Sequence, residues 1–294
     1  MTDVDVVVVS YNSRHHLRRC VEPLSGIPGV RVIVADNASP DGALETIADL
    51  PVTALALDRN GGFSFGCNHG WRAGRAPFVL FLNPDARIDP PSISALAEVL
   101  ESDERAAMVG PRIVDPEGSL LLSRRRFPTA ASTFGRAFLL HRLLPGTSEV
   151  ITDDGGLYAR PGRCDWISGA CMLVRRSILE QLGGLDEGFF MYCEDKDLAR
   201  RIHDAGYEVR YEPSARCVHH EGASAPRPAL SGVLTLSRVR YARKHGGRLR
   251  AALERGGLAL LALTRMVASR EPVVRAGHAA SLLVAAGKAP ARPR

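Results

Sequence analysis

Apolar segments with the character of buried strands alternate with segments of helical pattern over the first 110 residues, and this alternation restricts the fold most. The first apolar segment, Asp5–Ser10, holds four consecutive valines. Such a β-branched run is typical of a parallel strand buried on both faces. We predict further strands at Val30–Ala35, Val52–Leu57, Phe78–Leu82 and Ala107–Val109, and helices at Arg14–Leu24, Asp41–Leu50, Gly66–Ala73 and Ser92–Leu100. This pattern indicates an α/β fold with a doubly wound, mostly parallel sheet flanked by helices.

Polar side chains follow three of these strands at their carboxyl ends, the edge at which doubly wound sheets bind ligands. The three groups are Ser10-Tyr11-Asn12, Asp36-Asn37-Ala38-Ser39 and Asn83-Pro84-Asp85. Their convergence predicts a ligand site at this edge but does not identify the ligand.

Both carboxylates in these groups have a structural alternative. Asp36 can accept hydrogen bonds from a nucleobase or a ribose, or it can cap a helix or form an Asx-turn. Asp85 can bind a divalent ion that bridges a diphosphate, because Mg²⁺ and Mn²⁺ favour oxygen ligands. The alternative for Asp85 is a turn at the end of a strand.

The segment Asn60–Gly70 is rich in glycine and lies between a predicted strand and a predicted helix. Its backbone N–H groups can approach a phosphate or a sugar closely, and the alternative is a flexible turn. The segment has neither the G-x-G-x-x-G spacing nor that of a Walker loop, which argues against a dinucleotide-binding or P-loop enzyme.

The chain of 294 residues is long enough for one large α/β domain with an extension. Its six cysteines are Cys20, Cys67, Cys164, Cys171, Cys193 and Cys217. They form no C-x-x-C pair, which argues against a zinc site or a disulfide framework and fits a reducing cytoplasm. The N-terminal sequence lacks a basic region and a cleavage pattern, so we expect no secretory leader.

The second half of the chain is predicted to be less regular. We interpret residues 115–160 as a loop-rich insertion or acceptor-side segment. Beyond it we predict strands at Trp166–Arg175, Val209–Tyr211 and Arg216–His219, and a helix at Asp195–Ala205 that stops at Gly206. Adjacent histidines, His219 and His220, end the last strand and point to opposite faces if it continues, so at most one is expected to bind a metal.

The acidic cluster Glu194-Asp195-Lys196-Asp197 opens the predicted helix. Carboxylates at a helix entrance can act as a general base, but they also stabilise the helix start through its dipole. Asp197 and Arg201 have the i,i+4 spacing of an ordinary ion pair. We therefore predict a structural role for Asp197, as a surface ion-pair partner.

The charge of +6 is unevenly distributed, because residues from 226 onward hold 14 Lys and Arg against 2 Asp and Glu. Basic residues cluster at Arg238, Arg240, Arg243, Lys244, Arg248 and Arg250, and the apolar run Gly256–Thr264 follows. That run is too short to span a bilayer, and a basic amphipathic helix on an anionic membrane surface fits better. The alternative is a packed helical extension with solvated arginines. The tail lacks interleaved aromatics, so we expect no nucleic-acid partner.

Six segments in a fixed order carry a resemblance to a known family. They are V-V-V-S-Y-N, V-A-D-N-A-S-P-D-G, R-N-G-G-F-S-F-G-C-N-H-G, F-L-N-P-D-A, I-S-G-A-C-M-L-V-R-R and G-G-L-D-E-G-F-F-M-Y-C-E-D-K-D-L-A-R-R. The chain resembles the family 2 glycosyltransferases of GT-A fold, and among them the rhamnosyltransferase-like branch, over roughly residues 4–245. The resemblance implies a GT-A domain at residues 1–225, with a donor half at about 1–110 and an acceptor half at about 111–225, and a basic helical extension at 226–294.

The resemblance also implies residue roles. The donor nucleotide-sugar would contact Ser10, Tyr11, Asn12, Asp36, Asn60, Gly62, Phe63, Asn68, Asn83 and Asp85. Asn83-Pro84-Asp85 stands in place of the family's D-x-D motif, so Asp85, with His219 as distal ligand, would bind Mg²⁺ or Mn²⁺. Asp195 would be the general base, and Glu194 beside it would support acceptor binding.

The family's Q-x-x-R-W motif of processive synthases is replaced here by D-L-A-R-R at Asp197–Arg201. The resemblance therefore implies inverting transfer of a single sugar from a dTDP-sugar, such as dTDP-rhamnose. The implied acceptor is a glycan or a polyprenyl-diphosphate-linked molecule used in cell-envelope polysaccharide synthesis, in the cytoplasm or on the inner face of the membrane. The alternatives are a UDP- or GDP-sugar donor, and a catalytically silent protein that binds sugar nucleotides or a membrane surface.

Overall fold

A computed structural model describes residues 3–138, 148–220 and 230–289. The chain forms two compact units. The first, here called the sheet unit, comprises Met1–Arg125, Ile151–Gly188 and Glu194–Ser224, and the second, the helical unit, comprises Arg126–Val150, Phe189–Cys193 and Ala225–Arg294. The predicted boundary between residues 225 and 226 lies outside the described residues.

The elements of the chain are as follows. The strands are β1 (Val4–Ser10), β2 (Val30–Asp36), β3 (Thr53–Ala56), β4 (Phe78–Leu82), β5 (Ala86–Ile88), β6 (Ala106–Val114), β7 (Leu120–Leu121), β8 (Arg124–Arg125), β9 (Gly162–Cys164), β10 (Trp166–Ile167), β11 (Cys171–Arg175) and β12 (Glu208–His219). The α-helices are α1 (Arg14–Val21), α2 (Phe63–Ala73), α3 (Pro90–Ser102), α4 (Ala130–Ala137), α5 (Arg176–Leu182), α6 (Glu194–Asp204), α7 (Ser231–Ala268) and α8 (Pro272–Ala285).

The sheet unit is built on a ten-stranded sheet whose main path runs β3-β2-β1-β4-β11-β6-β12-β5. Strands β11 and β5 run antiparallel to their neighbours, and the other strands of the path run parallel to one another. β8 and β10 form a separate two-stranded antiparallel sheet. The predicted α/β fold with a mostly parallel sheet is therefore confirmed, and the carboxyl ends of β1, β2 and β4 meet at one edge.

Most of the predicted elements of the first 110 residues are present, but the helix expected at Asp41–Leu50 is wrong. Only a 3₁₀ segment, Ala43–Ile47, forms there, and it begins after Gly42 with a left-handed φ of 68°. The Thr46 carbonyl accepts a hydrogen bond from the Arg18 side chain at 2.9 Å. This contact occupies a carbonyl that an extended helix would use for its own ladder.

Two strand predictions in the second half also differ from the structure. The strand expected at Trp166–Arg175 is interrupted, because residues 168–170 are not strand and separate β10, in the two-stranded sheet, from β11, in the main sheet. The two strands expected at Val209–Tyr211 and Arg216–His219 are one strand, β12, whose register shifts between Glu212 and Arg216. Pro213 lies inside this irregularity, where its missing N–H removes a ladder hydrogen bond.

The glycine-rich segment allows helix α2 to pack closely on the sheet. A Cβ atom on Gly66 would lie 2.6 Å from Val9 Cγ1, and one on Gly70 would lie 2.3 Å from Val7 Cγ1. The helix begins at Phe63, three residues before the predicted start, after Gly62 with φ of 90°. These glycines bring α2 against β1, beside the carboxyl end of the strand.

The helical unit contains α4, α7 and α8. Helix α7 is kinked at Gly247, whose φ and ψ of 76° and −171° lie outside the helical region. Arg238, expected from the sequence to belong to a solvated basic cluster, is instead buried and pairs with Glu149 at 2.5 Å and Glu254 at 2.7 Å. Among the described residues, none of the helices has the length and apolar character needed to cross a membrane.

Candidate active site

The carboxyl ends of β1 and β2 place Ser10 directly beside Asp36. The Asp36 carboxylate accepts hydrogen bonds from Ser39, at 2.9 Å from its N–H and at 2.6 Å from its hydroxyl. The turn predicted as the structural alternative for Asp36 is therefore present. Ser10 is fully buried, and its hydroxyl has no hydrogen-bond partner among the described residues. An unpaired buried hydroxyl is uncommon in folded proteins.

The residues after β1 are tied to the same turn. The backbone N–H of Asn12 donates to the Ser39 hydroxyl at 3.1 Å, and Asn12 has a left-handed φ of 54°. Tyr11 is half-buried and Asn12 is exposed. Ser39 thus links the ends of β1 and β2, and the polar groups predicted to hold a nucleoside lie together at this edge.

The predicted donor residues around α2 have structural partners. Asn60 Oδ1 accepts from the N–H of Gly62 at 3.1 Å, in a turn that leads to the half-buried Phe63. Asn68 is buried; its amide nitrogen donates to the Leu185 carbonyl and to Glu187, and its amide oxygen accepts from Trp71 Nε1 and from the Leu185 N–H. Asn68 therefore joins α2 to the loop before α6, and its contact with a donor stays a prediction.

Asp85 and His219 lie next to each other because β5 pairs with the end of β12, where Ala86 faces His219. His219 Nε2 is 3.2 Å from Asp85 Oδ1 and 3.4 Å from Asn83 Nδ2. The backbone N–H of His220 donates to the Asp85 carbonyl at 3.0 Å, while its ring lies 6.2 Å from that of His16. The structure therefore brings the ring of His219 to Asp85, while His220 contacts Asp85 through its backbone.

A carboxylate oxygen and an imidazole nitrogen suit a divalent ion that completes its shell with phosphate oxygens and water. Among the described residues there is no group of three or more His, Cys, Asp or Glu side chains that could hold a metal alone. Asp85 and His219 thus fit an ion shared with a diphosphate better than a closed protein site. A cavity of about 380 Å³ opens beside them, lined by His16, Asp115, Pro116, Glu117, Leu121, His219 and His220.

The candidate base Asp195 lies in the first turn of α6. Its Oδ2 accepts a hydrogen bond from the N–H of Gly169 at 2.9 Å, and its Oδ1 accepts one from the N–H of Lys196 at 2.7 Å. Burial raises the pKa of Asp195, while the hydrogen bond from Gly169 and the charge of Lys196 act in the opposite direction. A carboxylate with a raised pKa is a stronger base than an exposed aspartate.

Glu194 is more deeply buried than its neighbour. Burial, and then the charge of Asp195, raise the pKa of Glu194 well above its usual range. Glu194 Oε2 has no hydrogen-bond partner among the described residues. The two carboxyls therefore differ, because the pKa of Glu194 is raised further than that of Asp195.

A dipeptide connects the candidate base to the candidate metal site. Gly169 donates to Asp195, and the carbonyl of the next residue, Ala170, accepts a hydrogen bond from the N–H of Asn83 at 2.9 Å. Gly169 and Ala170 belong to residues 168–170, which connect β10 of the two-stranded sheet to β11 of the main sheet. The interrupted strand thus fixes Asp195 relative to the segment Asn83–Asp85.

Sequence reasoning missed three residues behind Asp195. Lys196 is only 4% exposed, and its ammonium lies 4.7 Å from the centre of the Trp166 ring. Arg125 also lies over this ring, at 5.8 Å. Trp166 and Arg125 lie far from Lys196 in the sequence, so the sequence does not reveal the cluster. The one available signal was a cation, Lys196, within an acidic run. The predicted Asp197–Arg201 pair is confirmed at 2.8 Å, but Asp197 is fully buried, not on the surface.

Comparison with known proteins identifies relatives over most of the chain. The model of the family "Glycosyl transferase family 2" matches residues 5–183. An N-acetylglucosaminyl-diphospho-decaprenol L-rhamnosyltransferase of Mycobacterium tuberculosis is 36% identical over 284 residues, which cover 88% of this chain and 92% of that protein. The rhamnosyltransferase WbbL of Escherichia coli K12 is 28% identical, with 74% of this chain and 83% of that protein covered.

Solved structures show the same fold at low identity. The mannosyltransferase PcManGT of Pyrobaculum calidifontis, in complex with GDP-Man and Mn²⁺, has a TM-score of 0.61 at 16% identity, and the match covers 97% of this chain and 87% of that one. GalNAc-T7 with UDP, GalNAc and Mn²⁺ has a TM-score of 0.58 at 14% identity, over 85% of this chain and 51% of that one. These likenesses concern the fold alone.

Proposed function

The chain belongs to glycosyl transferase family 2 and is a glycosyltransferase, and we propose that it transfers one sugar from a nucleotide-sugar to a hydroxyl group with inversion of configuration. The observation that carries this proposal is the dipeptide Gly169-Ala170, which binds Asp195 on one side and Asn83 on the other. It holds a base and a diphosphate-binding segment in one rigid arrangement, as a displacement at the anomeric carbon requires.

Asp195 performs the proton transfer in the proposed reaction. The carboxylate takes the proton from the acceptor hydroxyl while that oxygen forms a bond to the anomeric carbon of the donor. The bond from that carbon to the diphosphate oxygen breaks, and the nucleoside diphosphate leaves with the electron pair. The N–H of Gly169 binds one carboxylate oxygen, and the N–H of Lys196, in the first turn of α6, binds the other.

The donor would lie along the edge formed by β1, β2 and β4. Ser10, Tyr11, Asn12 and Asp36 are proposed to hold the nucleoside, and Asp85 and His219 to hold a divalent ion, Mg²⁺ or Mn²⁺, at the diphosphate. When bound, such an ion neutralises negative charge that develops on the leaving group. Asn83 stands where a second carboxylate is common, so Asp85 supplies the only carboxylate from this segment.

We propose dTDP-rhamnose as the donor and a polyprenyl-diphosphate-linked glycan as the acceptor, in cell-envelope polysaccharide synthesis. The support is the similarity to the decaprenol-linked rhamnosyltransferase of M. tuberculosis and to WbbL. Thermal shifts with dTDP-rhamnose, UDP-sugars and GDP-sugars, each with and without Mg²⁺ or Mn²⁺, test the donor. The proposal predicts the largest shift with dTDP-rhamnose plus metal; a larger shift with a UDP- or GDP-sugar contradicts it.

A membrane-bound acceptor fits the surface of the helical unit. The side chains of Leu249, Val267 and Val273 are 74%, 89% and 64% exposed, and Arg243 and Arg248 are exposed on the same chain segment. Apolar side chains among cations are typical of helices that lie on anionic bilayers. We therefore propose peripheral contact with the inner face of the cell membrane. Co-sedimentation with phosphatidylglycerol vesicles, and not with phosphatidylcholine vesicles, is the expected result; equal sedimentation with both contradicts it.

The second candidate function is a catalytically silent sugar-nucleotide-binding protein. It is favoured by the Asn83 that replaces a family carboxylate. Incubation of the folded, metal-supplied protein with labelled dTDP-rhamnose and a polyprenyl-diphosphate-linked N-acetylglucosamine distinguishes the two. Appearance of a labelled lipid supports transfer, and donor binding without a labelled product supports the silent protein.

A further inference from the structure

Two cations, Arg125 and Lys196, lie over the indole ring of Trp166 in the small sheet formed by β8 and β10. Trp166 of β10 pairs with Arg125 of β8. The guanidinium carbon of Arg125 lies 5.8 Å from the Trp166 ring centre, and the ammonium of Lys196 lies 4.7 Å from it. A cation over an indole face is attracted by the ring quadrupole, most strongly where water is excluded. Lys196 is 4% exposed, so this condition holds for it.

The same small sheet reaches the candidate base. Gly169 follows Trp166 by three residues, and its N–H donates to Asp195 Oδ2 at 2.9 Å. Lys196 follows Asp195 directly, and its backbone N–H donates to Asp195 Oδ1 at 2.7 Å. One short segment therefore contains both Trp166, whose ring contacts the two cations, and Gly169, whose N–H binds the carboxylate.

We propose that Trp166 is a positioning residue, which holds Lys196 and Arg125 behind Asp195 so that the base stays ionised when the acceptor excludes water. This inference rests on the proposed function, in which Asp195 accepts the proton. Burial raises the pKa of Asp195, and the hydrogen bond from Gly169 and the charges of Lys196 and Arg125 act in the opposite direction.

Several other charged groups on α6 and on the elements packed against it have ion-pair partners elsewhere. On the helix itself, Glu194 adds negative charge when ionised, and Asp197 is paired with Arg201. The strands and helix packed on α6 bring charged groups with partners of their own. These are Arg176 of α5, paired with Asp5, and Glu208 and Arg210 of β12, paired with each other at 2.8 Å; Asp165 lies beside Trp166 in the chain.

The pH profile of sugar transfer tests the inference. Lys196→Met removes a cation, raises the pKa of Asp195 and is expected to move the acid limb of kcat upward by about one pH unit. Trp166→Leu frees both cations and is expected to move the limb in the same direction. Lys196→Arg keeps a cation on the ring and is expected to restore the wild-type limb. The donor KM is expected to stay unchanged in all three.

Arg72→Met is the matched control, because Arg72 lies 5.0 Å from the ring of Trp71 in another part of the sheet unit. It is expected to leave the acid limb in place. If Lys196→Met does not fold, Arg125→Met at a half-buried position provides the same test. An unmoved acid limb in folded, active Trp166→Leu, Lys196→Met or Arg125→Met overturns the inference. Absence of transfer by the wild type overturns the proposed function instead.

Discussion

The N–H of Gly169 donates a hydrogen bond to the carboxylate of Asp195 at 2.9 Å, and no side chain separates the two residues. A Cβ atom on Gly169 would lie 3.3 Å from Asp195 Cβ and 3.3 Å from its Oδ2. Glycine at this position therefore permits the close approach that fixes the candidate base. Backbone positioning of this kind keeps a carboxylate aligned without a flexible partner.

Gly169→Ala is expected to lower kcat by about tenfold to a hundredfold, because a small displacement of a base has effects of that size. The donor KM is expected to change little, since the residues proposed to hold the nucleoside lie at the ends of β1 and β2. Steady-state kinetics of transfer measure both. Gly256→Ala is the control, because its Cβ atom would meet only an ordinary contact at 3.9 Å. Equal kcat values for the two variants contradict the positioning role.

The pH dependence of transfer follows from the raised pKa of Asp195. The base must be ionised to accept a proton, so kcat is expected to fall as the pH drops through this raised pKa. The acid limb should therefore lie above the value of about 3.9 that holds for a free aspartate. A kcat profile measured from pH 4 to pH 9 checks this. A kcat that stays constant down to pH 4 contradicts the prediction.

Glu194 is expected to lower stability at neutral pH, because its pKa is higher in the folded chain than in the unfolded one. Its favourable contribution is complete below the unfolded pKa and is lost as the pH rises through the folded pKa. Each unit of the difference corresponds to about 1.4 kcal/mol. Glu194→Gln should therefore raise Tm relative to the wild type at pH 8 more than at pH 5. Exposed Glu180→Gln is the control, and a Tm difference independent of pH contradicts the prediction.

His219 and His220 form a natural pair of test positions, because the ring of His219 lies 3.2 Å from Asp85, whereas the backbone of His220 bonds to Asp85. His219→Ala is expected to raise the metal concentration for half-maximal transfer by at least about tenfold, since one of the two proposed protein ligands is lost. His220→Ala keeps the backbone hydrogen bond to Asp85 and should have a much smaller effect. Titration of Mn²⁺ against transfer measures both. A larger effect of His220→Ala would show that His220, and not His219, is the ligand.

Arg238 is expected to be the most sensitive position of the helical unit. Arg238→Met leaves Glu149 and Glu254 buried without their cation, and loss of one partner from a buried network costs about 3–5 kcal/mol. Arg243→Met on the same helix removes an exposed cation and should be close to neutral. Urea unfolding of both variants checks this. Similar midpoints for the two variants contradict the prediction.

Local pattern was enough to predict the strands β1, β2 and β4 and the polar residues at their ends. A continuous β-branched run such as Val6–Val9 has few alternatives, and parallel strands bring their ends together. The position of Asp197–Arg201 followed from helical spacing in the same way. The burial of Asp197 could not be predicted in this way, because it depends on which elements pack against the helix.

The interruption at residues 168–170 could not be read from the sequence. The segment from Trp166 to Arg175 has strand character, but residues 168–170 are not strand, and Gly169 and Ala170 bond to Asp195 and Asn83, which are distant along the chain. The Trp166 stack depends on long-range pairing between β8 and β10 for the same reason. The burial of Arg238 could not be predicted, because its two carboxylate partners, Glu149 and Glu254, are brought to it only by the fold.

Single-turnover transfer by Asp195→Asn tests the central claim most directly. The variant keeps the size of the side chain and an oxygen that can accept the hydrogen bond from Gly169, but it cannot accept a proton at neutral pH. We expect dTDP-rhamnose to bind with wild-type affinity and the rate of sugar transfer to fall by at least about a hundredfold. Transfer at the wild-type rate by this variant would show that Asp195 is not the base.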